Sequence, residues 1–300
     1  MQILKKGDLI GLVAPASYMD EEKLKSAIKN IESLGYKVRV GESVKNRWHS
    51  FAGEDFARAK DLNTFFRDKD IKAIMCVRGG YGSIRLLNLL DYDMIKKNPK
   101  IFIGYSDITS IHMALYKKCN MMTYHGPMAV SNLSGEYNKD TLKHFLEVVT
   151  EDKMIRKLEN FGKELKFFND KSCEGIVVGG NLATLISNIG TEYDLDYTDK
   201  ILFLEDIGEN TYKIDRMLWH LKNLGIFDQV AGILLGDFSD CEKSGENDME
   251  LEEVFSSHFN GYDKPVCYNF QSGHCTPMQT LILGCNLKID GKGKILEQKL

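Results

Sequence analysis

Residues 71–118 read IKAIMCVRGGYGSIRLLNLLDYDMIKKNPKIFIGYSDITSIHMALYKK. Two apolar runs, Ile71–Val77 and Ile101–Gly104, each lead into a stretch with helical spacing, Ser83–Leu90 and Ile108–Lys118. Strands that are apolar throughout are buried on both faces, and strand-helix alternation lays them parallel in one sheet. The pattern extends towards the N-terminus, with strands at Leu9–Ala14 and Tyr36–Val40 and helices at Glu21–Leu34 and Asp55–Phe66. Gly35 closes the first of these helices. The fold class predicted is α/β, with a doubly wound parallel sheet in the first half.

From about Ser131 the pattern changes. Ser131–Lys166 is polar and charged, with one helix predicted at Asp140–Val149, and reads as a connection. Beyond it come strand-like runs at Gly175–Val178, Ile201–Leu204, Val230–Leu235, Pro265–Tyr268 and Leu281–Leu283. Only two clear helices interrupt them, Leu182–Ile189 and Lys213–Asn223. The organisation expected is an N-terminal α/β domain (1–135), a connecting segment (136–168) and a C-terminal domain of mixed α/β character (169–300). The acidic segment Asp240–Glu253 reads as a solvated loop and helix start.

The 300 residues carry 39 basic and 43 acidic side chains, a net charge of −4, with no long basic block. Such a chain has little with which to neutralise phosphates, so no nucleic-acid partner is expected. No apolar stretch approaches the roughly 20 residues of a membrane span, and Pro15 cuts short the first apolar run. The chain reads as cytoplasmic and unprocessed, with no membrane partner. Its seven cysteines are scattered and never form Cys-x-x-Cys; they read as reduced, mostly buried small hydrophobes.

Ser106 stands where the strand Ile101–Gly104 passes into a helix. Such a turn lifts a hydroxyl to the sheet's carboxyl edge beside free helix N–H groups, the position of a nucleophile. Serine and aspartate are also favoured N-caps, so Ser106 or Asp107 equally fits helix termination. Ile108 fills the last position of a Gly-x-Ser-x-Gly pattern. The loop Arg78-Gly79-Gly80-Tyr81-Gly82 follows another strand and belongs at the same edge. Its backbone N–H groups suit an oxyanion or a phosphate. Arg85 replaces the third glycine of Gly-x-Gly-x-x-Gly, and no Gly-Lys-Ser/Thr follows.

A serine nucleophile needs a base and a group to orient it. His49, His112, His144, His220 and His258 fall in amphipathic helices or polar segments. His125 and His274 sit in glycine- and proline-bounded loops, and both remain candidates. For the orienting acid, Ile201–Leu204 runs into Glu205, Asp206 and Glu209. Glu205 reads as the first charge off the strand, with Asp206 and Glu209 solvated or paired with Lys213 or Arg216.

Taken in order, Arg78–Gly82, Gly104-Tyr105-Ser106-Asp107, Tyr124-His125-Gly126-Pro127, Gly179-Gly180-Asn181-Leu182, Leu204–Glu209 and Gly273–Pro277 resemble the LD-carboxypeptidase family of serine peptidases, over residues 9–284. The resemblance implies a flavodoxin-like N-terminal domain, a barrel-like C-terminal domain, and an active site between them. Its Ser-Glu-His triad falls on Ser106, Glu205 and His274, which leaves His125 a supporting role. Backbone N–H groups of Gly80 and Asp107 would form the oxyanion hole. Arg78 is the candidate for the substrate's free carboxylate, with Gly79, Tyr81, Asn181 and His125 as further substrate contacts. No metal or cofactor is called for, and a homodimer is implied.

The substrate implied is cytoplasmic murein tetrapeptide, cut between an L-configured diamino acid and the terminal D-alanine. A subgroup of the family cleaves microcin C-type peptidyl nucleotides instead. Gly236–Cys241 looks like the recycling enzymes, and Trp48 and Trp219 lie away from any second-domain insertion that would stack an adenine. A non-catalytic muropeptide-binding sensor is the alternative of another class, and the intact triad speaks against it.

Overall fold

Apolar continuity makes β1 (Leu9–Val13) a buried strand, and the computed structural model, which describes residues 2–300, sets it inside a six-stranded sheet. There follow α1 (Glu21–Ser33), β2 (Lys37–Val40), α2 (Asp55–Arg67), β3 (Ile71–Cys76), α3 (Tyr92–Lys97), β4 (Ile101–Gly104), α4 (Thr109–Cys119), β5 (Thr123–His125) and α5 (Ala129–Leu133). Parallel pairing orders these strands β2-β1-β3-β4-β5, the flavodoxin-like order. Asp20 caps α1 by accepting the Lys23 N–H, and Leu24, Ala27 and Ile31 form its buried stripe.

The sequence reading differs from the structure in this half: it does not predict the short helices α3 and α5, and two further segments take another form. Ser83–Leu89 is a 3-10 helix. Its start is pinned, because Gly82 enters at φ +118° and the Asp107 carboxylate accepts the Ser83 N–H at 2.8 Å. Tyr124 and His125, read as loop, are strand residues paired with Ile103 and Gly104. Three residues are too few to show a period.

The second half comprises α6 (Lys139–Thr150), β6 (Ile155–Lys157), β7 (Lys166–Phe167), β8 (Ser172–Asn181), α7 (Leu182–Asn188), β9 (Lys200–Ile207), α8 (Thr211–Asn223) and α9 (Ile226–Gln229). It continues through β10 (Gly232–Ser239), α10 (Leu251–Phe259), β11 (Val266–Tyr268), β12 (Leu281–Leu283), β13 (Asn286–Asp290) and β14 (Ile295–Lys299). An eight-stranded mixed sheet runs β6-β14-β13-β8-β9-β10-β11-β7. Its centre, β8 to β11, is parallel, while β13, β14, β6 and β7 add antiparallel. Residues 136–168 thus carry both edge strands of this sheet. β12 instead joins the first sheet, antiparallel to β5. The acidic segment leads into α10 through a capping box of Glu250 and Glu253.

One apolar cluster contains Ile10, Met75 and Ile103 of the first sheet together with Val177, Phe203 and Leu234 of the second. The two halves therefore share a core. All seven cysteines are free, with Cys173 alone part-exposed. Among the described residues no helix is long and apolar enough to cross a membrane.

Arg58 of α2 is 1% exposed. Its guanidinium donates to the carbonyls of Pro15, Gly53 and Gly82 and pairs with Asp55, clamping the loop after β1 to the glycine loop after β3. A buried cation is tolerated only when its N–H groups are taken up in this way. Arg58→Leu strands three carbonyls and should cost about 3 kcal/mol. Thermal unfolding would register this as a Tm lower by roughly 6–12 °C, whereas a shift under about 2 °C would remove the clamp from the stability argument.

Candidate active site

At the end of β4 a Cβ on Gly104 would stand 2.9 Å from Ile108, so only glycine lets the chain turn there. After Tyr105 the backbone enters the left-handed region at Ser106, φ +64°, and Ser106–Ile108 form a 3-10 turn that runs into α4. A non-glycine residue is strained in that conformation, and such strain at a strand-to-helix turn is what projects a serine from a sheet edge.

The glycine loop lies against this turn. A Cβ on Gly79 would fall 2.9 Å from the Ser106 Cβ and 3.0 Å from its Oγ. Gly80, at φ +115°, packs still more closely on Ser17, whose hydroxyl accepts the Tyr81 N–H at 3.2 Å. Asp107 is buried, and Ser83 ties it to the loop by donating its N–H to the carboxylate and its hydroxyl to the Asp107 carbonyl. Burial pushes the Asp107 carboxyl above its ordinary pKa, opposed by the Ser83 and Gly82 hydrogen bonds. Arg78 donates to the Tyr18 carbonyl at 3.2 Å. Tyr81 is 54% exposed and packs on Phe51, which stacks on Trp48, so Trp48 lies one ring away from the glycine loop.

From the second half, β9 supplies the acids. The sequence reading put Glu205 just beyond the strand, but β9 continues to Ile207 and buries both Glu205 and Asp206. Glu205 Oε2 lies 2.7 Å from His274 Nδ1. A carboxylate only accepts, so Nδ1 carries the proton and Nε2 is left for proton transfer. Ser106 and Nε2 are not hydrogen-bonded to each other among the described residues; contacts of this kind commonly tighten only around substrate. Gly273 makes the approach to Glu205 possible, since a Cβ there would fall 2.7 Å from Oε2.

Burial is the largest influence on both partners. It pushes the Glu205 carboxyl up, opposed by His274. It also disfavours the His274 imidazolium, but the Glu205 hydrogen bond and charge, aided by Asp206 and Asp237, outweigh it and leave the imidazole above its ordinary pKa.

Asp206 is neither solvated nor paired with Lys213 or Arg216, because the strand carries it inward. It accepts from the Asn181 side chain and the Ala183 N–H, both at 2.9 Å, and from the Ile207 N–H at 2.8 Å. Glu209 does pair with Lys213, at 2.9 Å. Asn181 spends its amide on Asp206 and on capping α7, while its N–H reaches Thr109 of α4 at 3.0 Å. It therefore ties the two halves together.

His125 ends β5, fully buried, with Nε2 4.0 Å from Glu205 Oε1. Tyr105 stacks on His125 at 5.9 Å and meets His274 edge-on at 4.9 Å. The residue preceding Ser106 thus brings the Glu205–His274 pair to the serine turn. Tyr105, Ser17 and Arg58 were not singled out from sequence. The available signal was position: Ser17 follows β1, and Tyr105 follows β4, at the edge already chosen for Ser106.

A strained serine, a loop of close backbone donors and a buried carboxylate–imidazole pair form the equipment of acyl transfer. Family models for the LD-carboxypeptidase N-terminal domain and C-terminal domain match residues 10–126 and 174–289. The chain is 38% identical over 286 residues to the probable murein peptide carboxypeptidase of Bacillus subtilis (strain 168), covering 94% of this chain and 88% of that protein. Its fold superposes on a muramoyltetrapeptide carboxypeptidase from Oxalobacter formigenes with a TM-score of 0.85, 29% identity and 97% coverage of both chains. It superposes on microcin C7 self-immunity protein MccF, in complex with aspartyl sulfamoyl adenosine, with a TM-score of 0.92 and 27% identity over 100% of this chain and 98% of that one. Matched in both halves and at this identity along nearly its whole length, the chain belongs to the LD-carboxypeptidase family.

Proposed function

We propose that Ser106, His274 and Glu205 act as nucleophile, base and orienting acid of a serine LD-carboxypeptidase that releases terminal D-alanine from murein tetrapeptide in the cytoplasm. The observation that carries the reading is the 2.7 Å bond between His274 Nδ1 and Glu205 Oε2, one ring away from the strained Ser106 turn. The names of the Bacillus and Oxalobacter proteins support the muropeptide substrate.

His274 Nε2 takes the Ser106 proton as Oγ attacks the carbonyl carbon of the L-configured residue. The Gly80 and Asp107 N–H groups receive the oxyanion, each donor worth roughly 3 kcal/mol in comparable sites. Collapse breaks the C–N bond, and the imidazolium gives its proton to the departing D-alanine nitrogen. Water, deprotonated by His274, then releases the acyl group. Arg78, which spends one N–H on Tyr18, keeps the rest of its guanidinium for the substrate's terminal carboxylate, with Tyr81 beside it.

One observation favours a second reading, a peptidyl-nucleotide peptidase: the exposed rings of Trp48 and Tyr81, which pack on either side of buried Phe51, lie beside the glycine loop where a base could stack. Mass spectrometry of products from a muropeptide panel and a peptidyl adenylate separates the two. Free D-alanine from the tetrapeptide is expected, and turnover of the adenylate alone would replace the first reading with the second.

Ser106→Ala should abolish D-alanine release without loss of stability, and unchanged turnover would remove the nucleophile assignment. Ser106→Gly should be equally inactive yet more stable by about 1 kcal/mol, because glycine relieves the left-handed strain.

The base must be neutral to accept a proton, and its pKa is raised. Activity should therefore fall with acid at a midpoint above the ordinary imidazole value of about 6.5, seen in the pH profile of kcat/KM. Glu205→Gln removes the charge that stabilises the imidazolium, so the midpoint should move down while kcat drops by orders of magnitude. A midpoint that stays put would assign the acid limb to another group.

A further inference from the structure

Three buried atoms at the site have no hydrogen-bond partner: Nδ1 and Nε2 of His125 and Oε1 of Glu205. Both side chains are fully buried, and Nε2 and Oε1 are 4.0 Å apart. Buried polar atoms are very rarely left without partners. The His125 ring is held by apolar surfaces, stacked on Tyr105 at 5.9 Å and edge-on to Phe203 at 4.9 Å, and the Glu205 carboxylate is its polar neighbour. An approach of about 1 Å converts the gap into an ordinary N–H···O hydrogen bond.

We propose that His125 is a positioning residue, whose Nε2–H donates to Oε1 of Glu205 so that one carboxylate is held between two imidazoles. The inference rests on the Ser106–His274–Glu205 reading and deepens it. An orphaned N–H is rarer in proteins than an under-used acceptor, which selects the tautomer with the proton on Nε2 and a bare lone pair on Nδ1. Burial, with His112 and His274 nearby, holds the His125 imidazolium well below its ordinary range. His125 thus supplies a donor without adding a charge. Fixed at both oxygens, the Glu205 carboxylate does not swing about its terminal bond, and Oε2 stays aimed at His274 Nδ1.

The test compares His125→Met, which fills the space without a donor, with His125→Gln, whose amide can donate from about the position of Nε2. His125→Met should lower kcat roughly 10–100-fold with KM unchanged, the size seen when a group that orients a functional ligand is lost. The low-field proton resonance of His274 Nδ1–H should shift in that variant, and His125→Gln should restore both. Two variants with kcat within twofold of the parent, or equally impaired in step with Tm and with the resonance unmoved, would overturn the proposal.

NMR of the unsubstituted protein with ¹⁵N-labelled histidine reads the tautomer even where a variant does not fold. A proton on His125 Nε2 is expected, and one on Nδ1 overturns the inference. Failure of the underlying reading is distinct: Ser106→Ala or Glu205→Gln would then keep activity. Inactivity of those two beside a fully active His125→Met removes only the role given to His125.

Discussion

Removing a carboxylate from water costs several kcal/mol unless its oxygens are met by donors. Glu205 is fully buried in β9, at the middle of an eight-stranded sheet, and much of the surrounding architecture answers that cost. His274 reaches Oε2 only because Gly273 lets the loop lie against the acid, and the Gly273 backbone sits at φ +127° for the same reason. Gly236 of β10 makes room for the same loop, since a Cβ there would fall 2.5 Å from the Ser272 carbonyl. The acid, its glycine neighbours and the histidine loop form one packing problem with one solution.

The serine side is built to a different logic. Its elements rely on backbone constraint: Gly79 and Gly80 approach where side chains cannot, and Asp107 binds the glycine loop to the turn through Ser83. Arg58 does similar work one layer further in. Glu205 comes from the second sheet and His274 from the loop between β11 and β12, and Tyr105 and the Asn181–Thr109 bond register the halves against each other.

The long strands and amphipathic helices of the first half were legible because a buried parallel strand needs an apolar run and a covering helix needs a stripe. β5 and the 3-10 helix at Ser83–Leu89 were not, since long-range pairing and the grip of Asp107 decide them. Among site residues, Ser106, Glu205 and His274 stood out as polar groups at strand ends or in glycine-bounded loops. Asp206 was misread as solvated, because a second buried carboxylate next to the first makes sense only when Asn181 and the start of α7 are seen to satisfy it. His125 read as a loop residue for want of any sign that β12 would arrive beside it.

That arrival has a consequence for how the chain becomes a protein. β12 lies far along the sequence yet closes the edge of the first sheet, with Leu281 opposite His125. Until it docks, a nascent N-terminal half exposes the β5 edge, a row of unpaired backbone groups open to other chains. The first sheet, flavodoxin-like in strand order, is therefore completed only by a strand from the last part of the chain.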